Sequence, residues 1–324
     1  MTVDVTAVER ELARIQWELT SSEVRTSLFN LIIWSPDAER TMADNALNYL
    51  LGKRAARVIH IVSTDVAESH LDVSARCFVD AERRGVCFQE IVITNGRDGA
   101  GGAPGSWVPL LVRDIPTFIL WLDTVCDKRD DLYHATEQAE KLLIDSEHSI
   151  GLGDPEERLL ATLRDITVSD GTPVTDFTFK RLRPLQRLVA GAFDDPQRIP
   201  LLDEIAALSI AGISHTAARL LVLWFAERLG WKPHEEGFLD RRGHKISFRH
   251  DSESHRCTSE IIIETESSQS VEIRTQDAGC ADVEYPEGSE SHPLISAPEN
   301  GVLLLEEVDN VSSDPLFSAT LSIT

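Results

Sequence analysis

The residues most suggestive of chemistry in this 324-residue chain begin with five glycines, Gly96, Gly99, Gly101, Gly102 and Gly105, crowded into one loop at 95–106. A loop with so few side chains can approach a ligand closely and turn backbone N–H groups toward a phosphate. The spacing fits neither nucleotide fingerprint. GxGxxG begun at Gly99 would need glycine where Pro104 stands, and GxxxxGK begun at Gly96 has Gly102 in place of lysine. Two readings remain: an anion site for a sugar phosphate, with nearby Arg113 as its cation, or a mobile surface loop that orders on a partner. A second group, Lys180, Arg181, Arg183 and Arg187, lies on one expected helix with Arg183 and Arg187 at i,i+4. Such cations hold a phosphorylated metabolite or an acidic patch, or pair with the chain's own carboxylates.

Other candidates read as structural. His244, His250, His255 and Cys257 match no zinc spacing, so no metal ligand is assigned. His60 sits inside the apolar run RVIHIV, where one buried hydrogen bond is the default. Gly212-Ile213-Ser214-His215-Thr216 lacks the second glycine of a nucleophile elbow and reads as a helix cap. No catalytic residue and no cofactor emerge, and the chain is expected not to be an enzyme.

The elements that must hold these groups are legible in the hydrophobic pattern. Residues 3–19 have helical spacing. Strands are expected at Ser27–Trp34, Arg57–Ser63, Leu71–Val79, Cys87–Asn95 and Thr117–Leu122, the third and fourth as a hairpin. Ser35-Pro36-Asp37 reads as the cap, first position and first-turn acid of a helix ending at Gly52. Helices are expected near Ala135–Ile144 and Glu156–Ile166, then at Phe179–Phe193 and from Ser214 to Gly230. Beyond Pro233 the pattern turns to β, with strands expected at Lys245–Arg249, Thr258–Thr265, Ser270–Thr275, Gly301–Val308 and Leu316–Ile323. The fold class is therefore α/β to α+β. A mixed-sheet α/β domain of about five strands, residues 1–168, precedes a domain at 169–324 with a helical segment and an acidic, antiparallel β-rich part.

Charge narrows the partners. The chain carries 31 basic and 54 acidic residues, net −23, and from Asp251 onward 2 basic against 16 acidic, net −14. A field of that sign repels nucleic acid and anionic membranes. No apolar run is long enough for a membrane helix. The start lacks signal-peptide character, and five cysteines without a CxxC pair fit buried free thiols in a reducing cytoplasm.

Several segments together carry a family resemblance. RVIHI at Arg57–Ile61, VPLLVRDIPTFILW at Val108–Trp121, LIDS at Leu143–Ser146, DFTFKRLRPLQRLVAGAFDDP at Asp176–Pro196 and AARLLVLWFAERLGW at Ala217–Trp231 stand in that order. In this the chain resembles the OpcA family, the glucose-6-phosphate dehydrogenase assembly proteins. It departs from the family pattern at Phe88, Gln89, Leu122, Phe177 or Phe179 and Leu185, and its acidic part after about Ser252 has no matched counterpart. The resemblance implies a cytoplasmic, non-catalytic assembly factor and allosteric activator of glucose-6-phosphate dehydrogenase in the oxidative pentose phosphate pathway. Residues expected to face that partner or a sugar-phosphate effector are Arg57, Arg113, Asp114, Arg183, Arg187 and Trp231.

Overall fold

Runs such as Leu31-Ile32-Ile33 and Phe118-Ile119-Leu120 are apolar at every position, so they can only be strands covered on both faces. All six side chains are buried in the computed structural model, which describes residues 3–20, 27–79, 85–235, 237–251, 259–276 and 279–324. These runs belong to a seven-stranded sheet: β1 Phe29–Pro36, β2 Ala56–Ser63, β3 His70–Val79, β4 Gly85–Asn95, β5 Thr117–Trp121, β6 Lys141–Ile144 and β7 Val174–Asp176. The spatial order is β3-β4-β2-β1-β5-β6-β7, with β3 antiparallel to β4 and every other pair parallel. The sequence winds outward from β1 in one direction and from β5 in the other, which is the doubly wound order.

One face of this sheet packs on the helices Arg40–Leu50 and Asn300–Glu307 through Leu31, Ile33, Val58, Leu120, Leu47, Leu303 and Leu304. The chain divides into two compact units, and the second helix shows that they interleave in sequence. The first comprises Met1–Phe177 with Glu299–Asp314, the second Thr178–Pro298 with Pro315–Thr324. A buried ion pair fixes the returning segment to the first unit. Lys141 Nζ, on β6, donates to Glu307 Oε2 at 2.5 Å and to the Asn310 and Ser312 carbonyls, and Thr175 Oγ1 donates to the same carboxylate oxygen.

The second unit holds an eight-stranded sheet: β8 Ile205–Ala211, β9 Lys232–His234, β10 Gly237–Leu239, β11 Lys245–Asp251, β12 Glu260–Thr265, β13 Ser270–Gln276, β14 Cys280–Tyr285 and β15 Gly288–Pro293. Its order is β15-β14-β13-β12-β8-β11-β10-β9, antiparallel except where β11 runs parallel to β8. Helix His215–Leu229 packs against β8 and β11 and carries helix Pro315–Leu321 on its flank. Ser214 Oγ accepts from Ala217 N, and Gly230 closes the helix in the left-handed conformation (φ 70°), both as the sequence implies.

Four expectations are corrected. Ala135–Ile144 is the end of helix Arg129–Thr136 followed by strand β6, because the apolar Leu142-Leu143-Ile144 pairs with β5 and β7. Gly301–Val308 and Leu316–Ile323 are helical, their leucines meeting a core at helical spacing. Ser35 caps no helix; β1 runs on through Pro36, and Ser35 Oγ pairs instead with His60 Nε2 at 2.8 Å. Cys77 and Cys87 are not free thiols. The β3–β4 register sets them directly opposite, with Cα atoms 4.1 Å apart, and they form a disulfide. Cys126 and Cys280 remain free, and Cys257 lies outside the described residues.

Replacing Lys141 by methionine strands the Glu307 carboxylate in the core. Urea unfolding of Lys141→Met should show a loss on the order of 3–5 kcal/mol. The paired change Lys141→Met/Glu307→Leu should recover most of it; an equal loss in both would assign the effect to packing rather than to the unpaired charge.

Candidate functional site

In a doubly wound sheet, the neighbouring strands from which the chain winds in opposite directions leave a crevice at their carboxyl ends, and ligands bind there. Here those strands are β1 and β5. Trp34 ends the apolar run of β1 and Trp121 ends β5; the two are register partners, both are fully buried, and their rings stack with centroids 5.0 Å apart. The aromatic pair makes this part of the sheet a packed apolar layer. The turn that follows β1, Pro36-Asp37-Ala38-Glu39, contains no glycine and two acids, where a pyrophosphate site requires close backbone approach and N–H donors.

The glycine loop follows β4 and closes over this pair. A Cβ on Gly102 would stand 3.3 Å from the Trp34 ring and 2.9 Å from Asn95 Nδ2, so any larger residue would have to push one of them aside. Four of the loop's glycine N–H groups are bonded within the protein. Ser69 Oγ accepts from Gly96 N at 3.0 Å and Gly101 N at 2.9 Å, Asn95 Oδ1 accepts from Gly102 N at 2.9 Å, and Gly99 N donates to the Gly96 carbonyl. Trp107 Nε1 and Ser106 Oγ then donate to the Gly102 and Gly101 carbonyls. The donors of Gly96, Gly99, Gly101 and Gly102 are therefore not turned toward an anion, while Arg97, Asp98 and Gly99 at the tip are exposed.

The rest of the carboxyl edge is acidic. Asp123 follows β5 and accepts from Ser63 Oγ and Thr124 N. Asp145 follows β6 and accepts from Asn300 Nδ2, while Asp176 ends β7 and accepts from Ser146 N and Oγ. Asp154 accepts from Val125 N and Cys126 N. Each carboxylate holds a turn together, and jointly they oppose an incoming phosphate. Burial, with Asp154 beside it, pushes the Cys126 thiol up to about 11, which keeps it protonated and unreactive at neutral pH.

Beneath the carboxyl edge, on the sheet face that packs on helix Arg40–Leu50, lies a polar network. Arg76 bridges Asp44 at 2.6 Å and the buried Glu90 at 2.8 Å, and Glu90 also accepts from Ser74 Oγ. His60 completes this region with its bond to Ser35. Burial, reinforced by the charge of Arg40, lowers His60 from 6.5 to about 4. The Ser35–His60 pair has the composition of a nucleophilic dyad, but Ser35 is fully buried.

The expected partner-facing residues are placed as follows. Arg57 is 3% exposed and braces the opposite face of the first sheet, donating to Gln89 Oε1 at 2.7 and 3.0 Å, Glu9 at 2.9 Å and the Leu110 carbonyl at 2.8 Å. Arg113 and Asp114 are exposed on the turn before β5, with Asp114 in the left-handed region at φ 64°. Arg183 is half-buried over the Phe179 ring, and Arg187 is exposed one turn along helix Arg183–Ala192. Trp231 is buried, with its ring parallel to that of Phe225 and 6.2 Å away. Arg57, Arg113 and Asp114 lie in the first unit and Arg183, Arg187 and Trp231 in the second, so no single unit gathers all six. Of the histidines considered for metal, His250 bonds the Ile213 carbonyl, and His255 lies outside the described residues. His244 instead joins Asp240 and Glu266 at the surface, where Arg242 already lies against both carboxylates at 3.0 and 3.6 Å.

The family profile described as the glucose-6-phosphate dehydrogenase subunit N-terminal domain matches residues 47–164, and the corresponding C-terminal domain profile matches residues 172–321. The chain belongs to the OpcA family. The C-terminal match also corrects the expectation that the acidic part after Ser252 lacks a counterpart, since it runs through that part. Two cyanobacterial relatives carry the provisional name OxPP cycle protein OpcA. The one from Synechocystis is 26% identical over 226 residues, covering 66% of this chain and 45% of its own; the one from Nostoc punctiforme is 29% identical over 166 residues, covering 50% and 34%. The chain thus spans less than half the length of the curated OpcA relatives it matches. Among solved structures, a dehydrogenase from Chromobacterium violaceum covers 91% of this chain and 92% of its own at 12% identity and a TM-score of 0.43, an overlap that carries no argument about activity. Among the described residues no helix is long and apolar enough to cross a membrane.

The His60 environment makes a pH prediction with a definite sign. Its folded-state value lies below its ordinary one, so as pH falls the unfolded chain takes up the proton first. The stability it contributes is complete above pH 6.5 and is lost as pH falls from there toward 4. Over that window the loss should be roughly 3 kcal/mol, and denaturant unfolding of His60→Gln should show a shallower decline than the unsubstituted chain.

Proposed function

We propose that this OpcA-family chain is a non-catalytic assembly factor and activator of glucose-6-phosphate dehydrogenase, acting in the cytoplasm by binding the enzyme. The observation that carries the reading is the closed switch point. The scaffold that would place a cofactor and a substrate at the ends of β1 and β5 has two stacked tryptophans there, a loop sealed by its own hydrogen bonds, and an acidic rim. Membership of a family described in terms of the dehydrogenase supports that enzyme as the partner.

Activation by binding requires tighter association with the active form of the enzyme than with the inactive one. Arg113, Asp114, Arg183 and Arg187 are the groups proposed to meet the partner or an effector, being wholly or partly exposed. Arg57 and Trp231 are buried and present no surface to a partner. A sugar-phosphate effector held by the glycine loop is the weaker reading, because the N–H groups of Gly96, Gly101 and Gly102 already have acceptors.

Dehydrogenase activity should rise when the chain is added to the enzyme from the same organism, and the two should co-elute on size exclusion. Unchanged activity with separate peaks would overturn the proposal. In the same assay Arg187→Ala should weaken activation while leaving the melting temperature within about 1 °C, as expected for an exposed side chain.

A further inference from the structure

Among the described residues, the eight-stranded sheet has one buried face and one that retains exposure. Ile261, Ile263, Val271, Ile273, Val283, Leu208 and Ile210 point to the covered face and are buried. Their neighbours in sequence point the other way. Following the registers across the sheet, the open face carries Lys232 on β9, Lys245 and Arg249 on β11, Ala207, Ser209 and Ala211 on β8, Glu260, Ile262 and Glu264 on β12, Glu272 and Arg274 on β13, and Asp282 and Glu284 on β14. All but Ala207 retain solvent exposure.

Two features distinguish this face from an ordinary solvated one. Its charges are sorted by strand. The β9–β11 side holds Lys232, Lys245 and Arg249 with one acid, Asp251, whereas the β12–β14 side holds Glu260, Glu264, Glu272, Asp282 and Glu284 with one base, Arg274. With 4 basic and 6 acidic groups the face is net −2, against −23 for the chain. Its middle, where β8 meets β12, is small or apolar on the β8 side and contains Ile262 on the other, so another sheet can approach closely there.

We infer that this face is self-complementary and docks a second copy of the same chain, sheet against sheet, about a two-fold axis lying between β8 and β12 and parallel to the strands. The order β15-β14-β13-β12-β8-β11-β10-β9 places four strands on each side of that axis. The rotation lays β13 over β11 and β12 over β8, so the acidic side of each copy meets the basic side of the other. A two-fold axis across the strands would stack each strand on itself, acid on acid, and the charge pattern selects against it. Face-to-face packing of aligned sheets is a standard geometry, and an isologous contact of this kind closes at two copies. Eight strands at about 4.8 Å spacing and about 20 Å length give on the order of 800 Å² per copy, the size of a stable specific interface. The inference concerns the state of the chain by itself and goes beyond the proposed action on the dehydrogenase.

Sedimentation velocity of the full chain tests it. At about 50 mM salt the expected species is a dimer of 2 × 36.0 = 72 kDa, shifting toward monomer at about 1 M salt as the sorted charges are screened. Ser209→Arg, which puts a long charged side chain at the axis, should give monomer with an unchanged far-UV CD spectrum. Because that variant could misfold, exposed charges supply a second test. Lys245→Glu/Arg249→Glu and Glu272→Lys/Glu284→Lys should each dimerise at least tenfold more weakly, and all four changes combined should restore the dimer. A wild-type monomer at every concentration overturns the inference and leaves the face to a basic partner surface. A dimer indifferent to all these changes overturns it equally, placing the contact elsewhere.

Discussion

The stacking of Trp34 on Trp121 is the contact on which the functional account depends. Aromatic rings this large bury a great deal of apolar surface, and offset stacking adds roughly 1 kcal/mol beyond the burial. Their position matters more than the energy. They sit at the ends of the two strands where the winding direction reverses, the place this topology offers to ligands. Once the crevice is filled, the glycines beside it serve a different end: Gly102 lets the loop lie on the Trp34 ring, and the loop's N–H groups turn inward to Ser69 and Asn95. A doubly wound fold is thereby kept while its usual site is closed.

The surrounding structure invests its buried charges in holding elements together. Arg57 joins β2, β4, the first helix and the segment at Leu110; Arg76 joins β3, β4 and helix Arg40–Leu50; Lys141 joins β6 to the returning segment. Each cation is matched by carboxylates or carbonyls, as a low-dielectric interior demands.

How much of this the sequence shows depends on whether the decisive contact is local. The apolar strands β1, β2 and β5 and the capped helix from Ser214 to Gly230 were legible because their signals lie within a few residues. Strand β6 was hidden because four residues after a helix read as its continuation, and only pairing with β5 and β7 makes them a strand. The two C-terminal helices were misread as strands because short apolar runs such as Val302-Leu303-Leu304-Leu305 have no readable period. The Cys77–Cys87 bond depends on the β3–β4 register, Val79 opposite Gly85, which the expected strand ends do not give. The closure of the site had no local signal. Trp34 and Trp121 are 87 residues apart, and only the strand order makes them neighbours.

The central claim is that the switch point is closed to dinucleotides, and the most direct measurement is a titration of the full chain with NADPH, read by tryptophan fluorescence and by thermal shift. The account predicts no saturable change in emission and no rise in melting temperature at millimolar ligand. A saturable quench accompanied by a rise in melting temperature would show that the tryptophans give way to a cofactor, and would contradict it.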